Sequence, residues 1–322
     1  MKLFETCRLC PRNCGTNRLE DIHRTHAGFC RESSLLRVAH VGPHFGEEPP
    51  ITGINGSGTV FFSGCSLRCV FCQNYQISTG GLGEAVGLAE LLKKVLEMIR
   101  RHPVHNINLV TPDHFFPYTF QLVSLLRQKG HDLPVIYNLS GYQSIGMLKM
   151  AEGYADIYLP DYKYTDSGLA NRLSKCKDYP EVALEAIVEM VRQKGFLDSF
   201  ENSPRMARKG VLVRHLILPG NVNNSLNALT TLYLEFGGAL PISIMSQFCP
   251  VLPQRDKDLN RSLLKEEFDK VYSHALDLGF ENVFVQYPDE PGSQTSDLLN
   301  LLPDFRQKYP FSYQKSLLPF GQ

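Results

Sequence analysis

Gly64-Cys65-Ser66-Leu67-Arg68-Cys69-Val70-Phe71-Cys72-Gln73-Asn74 decides how this chain reads. Three cysteines at C-x3-C-x2-C spacing follow directly on the apolar run Thr59-Val60-Phe61-Phe62-Ser63. A strand delivering three thiolates into one short loop reads as a metal site, because thiolates are soft ligands suited to iron–sulfur clusters and zinc. Iron–sulfur clusters usually take four cysteines, and the local count here stops at three. A cube held by three protein ligands leaves one iron open, and an open position separates reactive metal centres from closed structural ones. The alternative is a zinc ion whose fourth ligand comes from elsewhere in the chain.

Outward from that loop, the cysteine distribution points the same way. Seven of the nine cysteines fall within the first 72 residues, in two groups, while Cys176 and Cys249 stand alone. Such clustering suits metal binding better than a disulfide framework, which a reducing cytosol does not sustain. The first group is Cys7-x2-Cys10-Pro11-Arg12-Asn13-Cys14-Gly15, with Cys30 following after a loop. Four thiols at this spacing suit tetrahedral zinc or a closed iron–sulfur cluster, and spacing alone does not choose between them. Cys249 invites comparison with a radical-carrying thiol, yet a lone cysteine is usually a small buried hydrophobe.

The chain of 322 residues has room for one large domain plus a small module. Lys+Arg and Asp+Glu are both 33, so no net field favours nucleic acid or an anionic membrane. No apolar run approaches the roughly 20 residues that span a bilayer, and the start Met1-Lys2-Leu3-Phe4-Glu5 carries no apolar signal segment. The expected location is the cytoplasm. Gly and Pro crowd residues 42 to 58, which marks irregular chain. The expected organisation is therefore a cysteine-rich module over 1–50, a main domain over 51–290 and an extension over 291–322.

From Thr59 on, short apolar runs alternate with helical stripes. Strands are expected at 59–63, 107–111, 135–139, 156–159, 211–218, 242–245 and 283–286. The stripe Leu88, Leu91, Leu92, Val95, Leu96, Ile99 defines an amphipathic helix. Others are expected at 120–129, 182–194 and 225–236, and on the stripe Leu264, Phe268, Val271, Tyr272, Ala275. Alternation of this kind predicts a parallel α/β sheet flanked by helices. In a barrel of such units the working residues sit at the C-terminal ends of strands. Those ends carry the cluster loop, Thr111-Pro112-Asp113-His114, Asn138-Leu139-Ser140, Asp161-Tyr162-Lys163, Arg214-His215 and Ser246-Gln247. Tyr142, Tyr158, Tyr162 and Tyr164 are expected to wall a pocket near the same mouth.

C-x3-C-x2-C after a first strand, with Phe71 just before the last cysteine, resembles the signature of the radical S-adenosylmethionine enzymes. The wider stretch Gly64 to Asn74 is similar to that of the pyruvate formate-lyase activating enzyme and its relatives. The resemblance spans about residues 59 to 280 and implies a partial (β/α)6 TIM-type barrel. It implies a [4Fe–4S] cluster on Cys65, Cys69 and Cys72, and S-adenosylmethionine as cofactor. It further implies an external electron donor of flavodoxin or ferredoxin type, and an oxidoreductase acting on a protein glycine or on a small molecule.

Asp161-x-Lys163 is similar to the Asp-x-Lys that approaches the ribose and methionyl parts of the cofactor in the activating enzymes. Asn138 and Ser140 stand at a polar turn of those relatives, Gln247 at a polar sixth strand end, and Arg214 and His215 on the fifth strand. Thr111 and Asp113 replace the Gly-Gly-Glu turn that receives the cofactor's amino group, with Asp113 a substitute for the missing carboxylate. The Cys7, Cys10, Cys14, Cys30 element resembles that of a branch off the main line of activating enzymes. The opposing expectation is a metal-binding adaptor that keeps the barrel and does not turn over the cofactor.

Overall fold

The computed structural model describes residues 2–20, 28–199, 206–288 and 302–312. A short helix α1 (Lys2–Glu5) precedes the strand β1 (Leu36–His44), the turn α2 (Pro49–Thr52) and the strand β2 (Ser57–Phe62). Next come α3 (Tyr75–Ser78), β3 (Glu84–Val86), α4 (Leu88–Arg101), β4 (Ile107–Val110) and α5 (Phe116–Gln128). Then β5 (Val135–Leu139), α6 (Ile145–Ala151), β6 (Ile157–Pro160), α7 (Ser167–Ser174) and α8 (Tyr179–Lys194) follow. The chain continues with β7 (Gly210–Val211), β8 (Val213–Leu216), α9 (Val222–Phe236), β9 (Ile242–Met245), α10 (Lys265–Leu278) and β10 (Val283–Gln286).

Seven strands form one sheet in the order β3-β1-β2-β4-β5-β6-β7, and three form another in the order β10-β9-β8. From β2 through β7, and from β8 through β10, every pairing is parallel. Only Leu212 separates β7 from β8, and its N–H donates to the Tyr158 carbonyl at 3.1 Å. The Tyr162 N–H then donates to the Arg214 carbonyl at 2.8 Å, and Asp161 bridges to Arg214. The two sheets are thus one curling surface that turns at Leu212. β3 and β10 are its edges, and no closed barrel forms among the described residues.

Burial explains the parallel interior. All residues of β2, β4 and β6 are buried, as expected of strands covered on both faces. On the convex side, α4 buries Leu91, Leu92, Val95 and Met98 from the stripe legible in the sequence. On the concave side, Ile136, Ile157, Leu159, Leu212 and Phe284 gather around Ile51 of α2. That cluster joins β5, β6 and β10 through side chains, which is what curling the sheet achieves. Burying such a side chain contributes roughly 1.5–3 kcal/mol.

All seven expected parallel strands are present, with the fifth divided into β7 and β8. Two further strands come from stretches where none was expected. β1 pairs antiparallel with β2 and β3 pairs antiparallel with β1, so residues 36–44 add a strand to the main sheet. The expected division near residue 50 therefore coincides with no break in that sheet. Of the expected extension, residues 302–312 return Phe305 and Phe311 onto Phe61, at 5.3 and 5.6 Å between ring centroids. No helix among the described residues is long and apolar enough to cross a membrane.

Candidate active site

The loop after β2 leaves the sheet through Gly64. At φ +81°, a Cβ there would lie 2.4 Å from Glu32 Cγ and 2.9 Å from the Cys30 carbonyl, so only glycine allows the close approach. The loop is then fixed from several sides. The Arg12 guanidinium donates to the carbonyls of Ser66 and Ser174, each at 2.9 Å, and to that of Lys175. The Val70 N–H donates to the Leu173 carbonyl at 2.9 Å, and Gln73 Nε2 donates to the Gln247 carbonyl.

Each sulfur of the loop accepts a hydrogen bond. Leu67 N–H donates to Cys65 Sγ at 3.3 Å, Ser174 Oγ to Cys69 Sγ at 3.0 Å and Ser78 Oγ to Cys72 Sγ at 3.3 Å. All three thiols are free of disulfides. Burial pushes the Cys65 thiol up, with Asp113 and the other two sulfurs adding to the effect, and raises Cys72 to about 11. Without a bound cation Cys65 and Cys72 stay protonated, and a metal centre would take its ligands as thiolates with release of protons. No three His, Cys, Asp or Glu side chains among the described residues converge on a single ion. The donor set fits a cluster: soft sulfurs, each steadied by a donor, beside an open cavity.

That cavity, about 230 Å³, lies at the C-terminal ends of the parallel strands. Cys65, Cys69, Phe71 and Cys72 form one wall, and Thr111, Asn138, Ser140, Asp161, Lys163, Arg214 and Gln247 line the rest. Lys163 Nζ and Asp161 Oδ2 are 2.6 Å apart. Burial works to lower the Lys163 value, and Asp161 together with the Cys69 sulfur outweighs it, so the ammonium is retained. Tyr179 Oη donates to the carbonyls of Ser140 and Asp161 at 2.8 and 2.9 Å and accepts from the Lys163 N–H at 3.0 Å. One phenol thereby ties the β5 and β6 ends together. Gly141, at φ +84°, passes so close to Asp161 that an added Cβ would sit 2.1 Å from its carbonyl oxygen.

Thr111 has φ +54°, a real outlier for a β-branched residue. Its N–H donates to the Asn138 carbonyl at 3.0 Å, which holds the turn. Strain of this kind costs on the order of 1–3 kcal/mol and concentrates at functional sites.

Two expected contacts lie elsewhere. Asp113 is buried outside the cavity wall, accepts from Ser66 Oγ at 2.8 Å, and is raised by burial to about 6. It buttresses the cluster loop instead of replacing the absent carboxylate. His215 alternates away from Arg214 along β8, places Nδ1 2.6 Å from the Tyr162 carbonyl, and is lowered by burial to about 4. His114, set against the Ser63 carbonyl at 2.6 Å, is lowered by burial to about 3. The four tyrosines expected at the mouth do not line the cavity; they are buried in the core. Cys249 lies off the cavity wall as well.

Other residues escaped the sequence reading. Arg214 is pinned by Glu47 and Glu48 from the β1–α2 loop, with Nε donating to Glu48 Oε1 at 2.9 Å. Asn108 Nδ2 bonds the other oxygen of Glu47 at 2.7 Å. Burial works to raise Glu47, and Arg214 and His44 overcome it, so the carboxyl lies below the usual carboxylate range. Glu47, His44, Phe61 and Phe311 also line the cavity. The pair Glu47-Glu48 before Pro49-Pro50 was the available signal, hidden in a stretch that read as irregular.

Residues 53–157 match a family described as a 4Fe–4S single cluster domain. An uncharacterized protein of Methanocaldococcus jannaschii is 26% identical over 280 residues, covering 85% of this chain and 75% of the relative. Among solved structures, methylornithine synthase (PylB) aligns with TM-score 0.44 and 14% identity, over 79% of this chain and 76% of that one. HydG, a maturase of the [FeFe]-hydrogenase, aligns with TM-score 0.49 and 14% identity, over 75% and 54%. A domain of a pyruvate-formate lyase-activating enzyme from Bacteroides vulgatus aligns with TM-score 0.35 and 13% identity, over 53% and 92%.

Proposed function

We propose that this protein is a radical S-adenosylmethionine enzyme whose [4Fe–4S] cluster is held by Cys65, Cys69 and Cys72. The observation that carries the reading is the shared cavity. Three hydrogen-bonded sulfurs face Thr111, Asn138, Ser140, Asp161, Lys163, Arg214 and Gln247, drawn from the ends of five strands. When bound, the reduced cluster supplies the electron that cleaves S-adenosylmethionine to methionine and a 5′-deoxyadenosyl radical, which abstracts hydrogen from a substrate.

The chain's own residues bind and orient, as proteins do for a reactive cofactor. Asp161 presents a carboxylate suited to ribose hydroxyls, in the manner of acidic residues in dinucleotide sites. Lys163, charged and held by Asp161, presents a donor beside Cys69 and Cys72. Phe71, seated edge-on to Tyr164, backs the cysteine wall with an apolar ring. Phe61 and Phe311 add apolar lining to the same cavity. The activase-like role, a flavodoxin or ferredoxin type donor, and a protein glycine or small molecule as target follow from the resemblance alone.

Anaerobic reconstitution with iron and sulfide, followed by dithionite and S-adenosylmethionine, tests the reading. 5′-Deoxyadenosine should appear with the wild-type chain. A chain that binds iron and yields none is the metal-binding adaptor instead.

A further inference from the structure

We propose that Cys7, Cys10, Cys14 and Cys30 hold a second iron–sulfur cluster, lodged between the buried Arg18 and the back of the Cys65 loop. The loop geometry at Cys10 repeats that at Cys65. In each, the N–H of the residue two positions on donates to the sulfur, and the residue three positions on is left-handed: Asn13 at φ 45° and Arg68 at φ 54°. Cys30 likewise accepts from the Glu32 N–H, and Cys14 from the N–H groups of Thr16 and Phe29. Cys7 and Cys30 are buried, and both lie within electrostatic reach of Cys10, while Cys14 stands at the surface with Sγ 4.0 Å from the Cys7 carbonyl.

Arg18 supplies an independent observation. It is 1% exposed, and its guanidinium bonds the carbonyls of Glu32, Ser33 and His114, with the Cys7 sulfur at 3.7 Å. No carboxylate among the described residues bonds it, and the nearby Glu32 pairs with Arg37 at 3.2 Å. A buried cation is costly unless compensated, and the carboxyls in its field, Glu32 and Asp113, make no hydrogen bond to it. A cluster on four thiolates carries net negative charge and would compensate the cation. Arg68, whose guanidinium stacks over Phe29 at 5.8 Å, stands in the field of both Cys30 and Cys65 and adds a second positive group. Zinc would need sulfurs about 2.3 Å from one point. Zinc alone is an outcome that the test below must distinguish from iron.

The full-length chain with Cys65, Cys69 and Cys72 all changed to Ala provides the test, after anaerobic reconstitution with iron and sulfide. It should retain about half of the wild-type iron and acid-labile sulfide, as two clusters of equal size require. Adding Cys10→Ser and Cys30→Ser should remove the remainder. A triple variant that binds no iron, or zinc alone, overturns the proposal. Should that variant misfold by circular dichroism, Cys10→Ser with Cys30→Ser in the wild-type background must halve the iron content; unchanged iron overturns it equally. Iron content is read without S-adenosylmethionine, so failure here is distinct from failure to form 5′-deoxyadenosine.

Discussion

The two cysteine-bearing regions present Cys10 and Cys65 by the same local geometry and differ in what lies beyond the sulfurs. Cys65, Cys69 and Cys72 face a cavity walled by polar strand ends. None of the four N-terminal cysteines lines that cavity, and Cys7 and Cys30 are buried. Each region also contains a buried arginine. Arg214 meets two carboxylates, whereas Arg18 meets carbonyls and a sulfur. The contrast separates three sulfurs that face a polar cavity from four that do not, with Cys14 at the surface; an open position beside the ligands is what divides catalytic from structural metal sites.

The largest effect is expected at Arg214. Arg214→Ala leaves Glu47 and Glu48 buried without their cation, which costs about 3–5 kcal/mol in denaturant unfolding near neutral pH. In the wild type, the depressed Glu47 value contributes stability that is present above the ordinary carboxylate range and lost as pH falls through the folded value. In the variant burial acts on the Glu47 carboxyl with only His44 and Asn108 left to oppose it, so the gap to wild type should narrow as pH falls toward 4. A gap independent of pH would show that the carboxylates are not what Arg214 compensates.

Arg18→Met should cost less and should depend on metal. The orphaned carbonyls cost on the order of 2–3 kcal/mol in the reconstituted chain. The stripped chain should lose less, because there the guanidinium has only the field of Glu32 and Asp113 to oppose it. Equal losses in both forms would erase the proposed difference between the two arginines.

Ser174→Ala touches the open site lightly. Tyr164 Oη lies 2.7 Å from Ser174 Oγ, which donates onward to Cys69. Stability should fall by about 1 kcal/mol, and the midpoint potential of the reconstituted cluster should become more negative, since hydrogen bonds to the sulfurs help set it. An unchanged potential would remove Ser174 from the cluster's surroundings.

Thr111→Gly is the smallest change and runs the other way. Relief of the left-handed strain should stabilise the chain by about 1 kcal/mol, less the entropy that glycine adds to the unfolded state.

Much of this arrangement was legible in the sequence. Short apolar runs and the Leu88–Ile99 stripe reveal a parallel α/β sheet because their burial is local and repetitive. Cys65, Cys69, Asp161 and Lys163 were legible because strand ends collect at one mouth in such sheets. β1 was hidden because its antiparallel pairing with β2 depends on a partner and not on a pattern. Glu47 and Glu48 were hidden because their meaning rests on Arg214, more than 160 positions away. Asp113 misled for a related reason: its place after β4 suggested the cavity, and the short 3₁₀ turn at 113–115 directs it behind the loop.

The most direct measurement compares 5′-deoxyadenosine formed from S-adenosylmethionine by reduced, reconstituted wild-type and Cys69→Ala chains. The account predicts product from the wild type and none from the variant. Equal product from both, or none from an iron-loaded wild type, would contradict it.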